Sequence, residues 1–289
     1  MAAPVPPYFE GWYLKHQKDN DTLACIPGIS LSKESNTAFI QIITKEQSWY
    51  LSYPISDFRK HPSGRAVRIG DNLFTQNGVR LHIQTPDLSL RGTIRYGWMA
   101  RPAGDIMGPF RFLPHMECRH GLISLGHSLT GSVVLNGRTL NFDNGTGYIE
   151  TDWGHSFPSR YCWSQCNTFP HGNTCVFLSA ARIPVAGFAF PGCISDVLYQ
   201  GREYRLATYT GARITRWMPD CIQLTQGDSC LEAVLLRAWG CPLAAPHAGQ
   251  MTRTVYEHAA CTVQYRFVWH GNELFHLQSD SASFESVRP

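Results

Sequence analysis

Charge is scarce in this chain. Asp, Glu, Lys and Arg supply 16% of its residues, against roughly 25% in ordinary globular domains. The formal net charge is only +3. No stretch concentrates Lys and Arg, so the electrostatic footprint of a nucleic-acid binder is missing. Long apolar runs are missing too. The most apolar stretch, IPVAGFAFPGCI, runs only from Ile183 to Ile194 and holds Pro191, which is too short for a membrane-crossing helix. The opening MAAPVPPYFEGWYLKH has no basic segment followed by an apolar one. No secretory signal is read there, and a cytoplasmic location is expected.

Metal and nucleotide signatures are also lacking. The chain has 10 Cys but no Cys-x-x-Cys. In a reducing compartment they are expected as free, buried thiols that pack like small hydrophobes. GPFRFLPHMECRHG brings His115, Glu117, Cys118 and His120 close in sequence. On a strand His115 and Glu117 point one way and Cys118 and His120 the other, so they do not converge on one ion. There is no GxGxxG, P-loop, GxSxG elbow or HExxH, and no cofactor or metal is expected.

What is present reads as β-structure. The sequence holds 8 Trp, 12 Tyr and 15 Phe, residues that favour strands and apolar pockets. FTQNGVRLHIQ and SVVLNGRTLNF place Asn-Gly between alternating apolar residues, the pattern of a type I′ hairpin turn, whose central residues need positive φ. DVLYQGREYRLATY and VQYRFVWHGNELFHL repeat the plan with Gln-Gly and His-Gly-Asn. No window holds a clean helical period, and the best candidate, Asp228–Trp239, is read as a buried strand.

A weak internal echo divides the chain. An aromatic strand, a polar turn and an apolar strand open at EGWYLKH and again at SRYCWSQC, and each half closes with a long hairpin. The reading is all-β, with two lipocalin-like antiparallel barrels packed side by side: an N-terminal domain over 8–157 and a C-terminal domain over 158–289. A pocket is then available inside a barrel or at the seam between the two.

The densest chemistry lies in GTGYIETDWGHSFPSRYCW, Gly145 to Trp163. Read as a strand, it puts Tyr148, Glu150 and Asp152 on one face and Trp153 on the other. Two carboxyls desolvated together cannot both ionise cheaply, so one should keep its proton near neutral pH. The plainer alternative is a structural role, with both carboxyls bound to backbone amides or an arginine. YFEGWY sets Glu10 beside Tyr8 and Trp12, where the aromatics could equally plug a barrel end. Glu117 or His120 could line a pocket as acid, base or hydrogen-bond partner.

YFEGWYLK at Tyr8, GPFRFLPHMECRHGLISLGHSLTGSVVLNG at Gly108, GYIETDWGHSFPSRYCWSQCN at Gly147 and LAAPHAGQMTRTVYEHAACTVQYRF at Leu243 together resemble the tocopherol cyclase family. The family's reaction protonates the trisubstituted double bond of a prenylated hydroquinone and closes a chroman ring without redox change. The resemblance implies a buried donor, Asp152 or Glu150. It implies cation-stabilising rings among Trp12, Trp153, Tyr161 and Trp163, and a group that handles the phenol, His155 or Glu117. The chain departs from the plant pattern at Thr151, where a basic residue is expected, and at Trp163-Ser164-Gln165-Cys166, where a more apolar strand is expected. The partner implied is an apolar small molecule, a prenylated phenol or polyene, with contact at a membrane surface left open. A carrier without turnover, and a hydratase or pericyclase on the same scaffold, remain alternatives.

Overall fold

The computed structural model describes residues 4–114, 116–170, 172–185 and 188–288. His115, from the group weighed as metal ligands, lies outside the described residues. Strands dominate, joined by turns and by short 3-10 segments at Ile55–Asp57, Gly108–Phe112 and Thr208–Thr210. Among the described residues no helix is long and apolar enough to cross a membrane.

The strands form two antiparallel sheets. In spatial order the 12-stranded sheet runs Ser48–Pro54, Asn36–Ile43, Asp21–Leu31, Tyr8–Lys18, Thr146–Gly154, Cys118–Leu135, Ser89–Ala100, Gly78–Gln84, Asn72–Thr75, Ala66–Ile69 and Phe58–Lys60, with Arg138–Asn141 beside Cys118–Leu135. It curls until residues of both edges, Trp49, Leu51 and Phe58, pack on one core with Leu14, Ile40, Phe74 and Leu129. The 10-stranded sheet runs Arg202–Ala207, Phe188–Tyr199, Cys175–Val185, Tyr161–Cys166, Asn272–Val287, Gln250–Trp269, Ser229–Arg237, Cys221–Gln226 and Arg213–Trp217, with Cys241–His247 beside Gln250–Trp269. It wraps a second core around Leu178, Tyr265, Phe267 and Phe284. These are lipocalin-like barrels packed side by side, each filled by its own side chains. Pro191 lies inside the strand Phe188–Tyr199, paired with Arg182. The segment weighed as a helix is the strand Ser229–Arg237.

Three of the four expected hairpins turn where the sequence places them. Asn136-Gly137, Gln200-Gly201 and His270-Gly271 all have positive φ, between 48° and 84°. The fourth is shifted. Thr75 pairs with Gly78, so Gln76 and Asn77 form the turn and Gly78 already belongs to the strand. A Cβ on Gly78 would strike the Ile94 carbonyl and the Arg95 Cα of the next strand. Close strand approach and a φ of 142° within the strand, not the turn itself, demand glycine there.

The barrels meet along a third apolar cluster that includes Tyr13, Tyr148, Trp163, Phe177 and Leu243. The junction is fastened at Gly249, whose N–H donates to the His155 carbonyl at 2.7 Å and whose carbonyl accepts from Ser30 Oγ at 2.6 Å. Gly249 has φ 76°, and a Cβ there would collide with the Leu31 carbonyl. Gly249→Ala is expected to lower stability by about 1–3 kcal/mol. A urea midpoint equal to that of the parent would refute this fastening role.

Candidate active site at the seam

A cavity opens between the two barrels, with about 810 Å³ of atom-free space, part of it continuous with solvent. Of the two pocket positions expected from sequence, this one lies at the seam. One wall comes from the first sheet, where strand register builds two rows. Gly11, Asp152 and His120 lie abreast, and beside them Tyr13, Glu150 and Leu122. Directly opposed residues on neighbouring strands share a face, so both rows turn toward the seam. The second sheet supplies the facing row, Ser179, Trp163, Glu285 and Glu257. Phe157, Pro158 and Tyr161 close the side where the chain crosses between barrels.

Glu150 is the most enclosed acid of the first wall, with 5% of its surface exposed. Its Oε2 accepts hydrogen bonds from Tyr148 Oη at 2.5 Å and Trp163 Nε1 at 3.0 Å. Burial pushes its carboxyl up to about 8, reinforced by the charge of Asp152 and opposed by His120 and by the Tyr148 and Trp163 hydrogen bonds. Its proton is therefore retained at neutral pH. Three rings surround it. Tyr13 and Trp163 meet edge to face at 5.2 Å, with Tyr148 6.3 Å from Tyr13 and 6.5 Å from Trp163.

Asp152 pairs with His120. Nδ1 of His120 and Oδ1 of Asp152 are 2.5 Å apart in ion-pair contact, though neither atom has an aligned hydrogen bond. His120 Nε2 lies 3.1 Å from Ser179 Oγ on the second wall. Burial acts to lower the imidazolium, but Asp152 outweighs it and the result is a rise to about 9.

Two further acids complete the cavity, and neither is among the residues expected from sequence. Glu257 Oε1 accepts from Tyr13 Oη at 2.5 Å, and Glu285 Oε1 accepts from Tyr161 Oη. Burial raises Glu257 to about 7. Burial, with the neighbouring charge of Glu257, raises Glu285 to about 8. The available signal was a lone Glu inside an apolar stretch, in VYEHAAC and SASFESV. Such a residue is rarely buried without a partner.

Of the residues expected from sequence, the cavity gathers Glu150, Asp152, His120, Tyr161 and Trp163, and Tyr148 holds Glu150. Others fall elsewhere, and strand parity is the reason. The opening strand sends Phe9, Gly11 and Tyr13 to the cavity, so Trp12 points into the first barrel core. Glu10 pairs with Lys60 and Tyr8 instead. Trp153 lies on the far face from Asp152, against Gly121. His155 follows the strand end, its Nδ1 3.3 Å from Ser156 Oγ, and does not line the cavity. Glu117 precedes the strand and lines a neighbouring hollow. All 10 cysteines are free thiols, and only Cys230 is not buried. Among the described residues no three His, Cys, Asp or Glu side chains gather as a metal site.

Paired lipocalin-like barrels around an acidic, aromatic seam define the class. Within it, residues 85–211 match the family model described as tocopherol cyclase-like. The chain is 30% identical over 120 residues to the chloroplastic tocopherol cyclase of Zea mays. That match covers 40% of this chain but only 23% of the maize protein. Among solved structures the fold is similar to CghA in complex with Sch210972, with TM-score 0.59, 9% identity and coverage of 98% of this chain and 89% of that one. It is also similar to kievitone hydratase from Nectria haematococca, with TM-score 0.54, 10% identity and coverage of 97% and 88%.

Proposed function

We propose that the seam cavity is the active site of a cofactor-independent enzyme that protonates a carbon–carbon double bond of an apolar, prenyl-bearing ligand, with Glu150 as the acid. The observation that carries this reading is a carboxyl raised to about 8 by burial inside a cage of Tyr13, Tyr148 and Trp163. Alkene protonation needs an acid that is neutral at working pH, and rings that stabilise the resulting cation by about 0.5–2 kcal/mol per contact.

In a cyclisation of the tocopherol cyclase type, the Glu150 proton moves to the less substituted alkene carbon and leaves a tertiary cation. A phenol oxygen of the same ligand then forms the new C–O bond. Its own proton departs to the glutamate just emptied, so atoms balance and the acid is regenerated. Asp152, in contact with His120, lies one row from Glu150 on the same wall. The carboxyl-rich lining also favours a second outcome, capture of the cation by an ordered water, which makes the enzyme a hydratase.

Incubation with a prenylated hydroquinone in deuterated buffer separates these outcomes. A ring-closed product bearing one carbon-bound deuterium is expected. A product enlarged by water assigns hydration, and recovery of unlabelled ligand despite binding makes the protein a carrier and ends the proposal.

A further inference from the structure

The seam cavity has a neighbour. A second hollow lies between the second sheet and the segment that follows Ala100, walled by Met107, Phe110, Met116, Ile183, Gly192 and Ile194. The two spaces share Cys118, His120, Pro158, Ser179 and Ala181 as walls, so the partition is one side chain thick. Most of these shared residues are small. Beyond Glu117, Arg182 and the shared His120 and Ser179, the second hollow presents apolar side chains, in contrast to the carboxyl-lined chamber beside it.

Its roof is held in place. Although it belongs to the first half of the chain, it is anchored on the second. Tyr209 Oη donates to the Ile106 carbonyl at 2.8 Å, and the Ala103 N–H donates to Glu203 Oε2 at 2.6 Å. The Phe110 ring rests edge-on against Tyr209 at 5.6 Å and Phe190 at 6.1 Å. The hollow beneath this roof is therefore formed before a ligand enters, not a surface that must first collapse.

We infer that this annex is the subsite for an unbranched or prenyl hydrocarbon chain, whose polar, reacting end lies in the seam chamber. The inference rests on reading that chamber as the ligand site, and it adds where the rest of the ligand goes and what limits its length. The chain passes beside Ala181 and Pro158, and its far end is bounded by Ile183 and Met116. Head and tail are thus sorted by polarity: oxygen functions among the carboxyls, hydrocarbon under the roof.

Binding of para-alkylphenols, from methyl to nonyl, measured by calorimetry, tests this without turnover. Affinity of the parent protein is expected to rise about two- to fourfold per added methylene as the chain enters the annex. Ile183→Trp and Met116→Trp are expected to flatten that rise while leaving affinity for the methyl compound unchanged. A nonylphenol carrying a terminal diazirine, photolysed on the parent protein, should label Met107, Phe110, Met116, Ile183 or residues 192–194. This second readout does not depend on variants that fold. Unaltered length dependence in both variants, or label placed elsewhere, overturns the annex. Binding of short phenols with no gain on lengthening removes the annex alone, whereas binding of no phenol removes the chamber reading with it.

Discussion

Glu150→Gln is expected to lower turnover by about 10²–10⁴-fold, the contribution of a positioned general acid. The substitution is nearly isosteric. Its amide oxygen can still accept the Tyr148 and Trp163 hydrogen bonds that Glu150 Oε2 accepts now, so the cage of rings should survive. What disappears is the transferable proton. The unfolding midpoint should not fall, because a carboxyl that burial already disfavours in its charged form is replaced by a neutral group. The control is Asp152→Asn, which removes the counter-charge of His120 and leaves Glu150 in place. Assigning the donor therefore needs both variants. Retention of turnover by the glutamine variant, with loss in the asparagine variant, would transfer the role to Asp152.

Raising pH from 6.5 to 8 is expected to lower the thermal unfolding midpoint by about 5 °C or more. Glu150, Glu257 and Glu285 hold their protons more tightly folded than unfolded, with folded values of about 8, about 7 and about 8 against an ordinary 4.5. Their contribution is complete below the unfolded value and is lost as pH climbs through the folded values. His120, raised from 6.5 to about 9 by Asp152 against the opposing effect of burial, acts in the same direction. His16 and His127 are lowered by burial to about 4 and about 3, so they destabilise only as pH falls below 6.5. Lys15, lowered by burial to about 8, counteracts the trend only above that value. Asp196, paired with Arg205 away from the seam and raised by burial to about 7, adds to the same trend, so the window between 6.5 and 8 reads the seam acids and His120 together with this one. A midpoint that stays level or rises across it would mean that these carboxyls are solvated in the folded protein. Turnover should decline over the upper part of the same range, as Glu150 loses its proton.

Much of the fold was legible because strand signals are local. Three of the four glycine hairpins and the strand at Ser229–Arg237 follow from alternation and turn chemistry, and the paired barrels from the echo between the two halves. Gly78 misled because a glycine after asparagine has two physical uses, and only the packing of the adjacent strand against it decides between them. The site was legible in part. Tyr148, Glu150 and Asp152 were placed on one face by the period of the strand, and His120 came with the motif beside it. Which face of the opening strand would meet them was not readable, because both of its faces are apolar: one fills a barrel and the other lines the seam. That choice is made by the register that sets Tyr13 against Glu150. Glu257 and Glu285 face this wall from strands more than a hundred residues further along. No local pattern announces such an encounter.

The exchange of hydrogen bonds across the junction has a mechanical consequence. Tyr13, from the first barrel, donates to Glu257 of the second, while Trp163, from the second, donates to Glu150 of the first. Each half thus supplies the other's acid with its aromatic clasp. A slight rotation of one barrel against its neighbour would loosen both clasps at once and change the water around both protons. Acid strength in this protein is accordingly a gauge of alignment, and the proton is ready for transfer only when the two cylinders are in step.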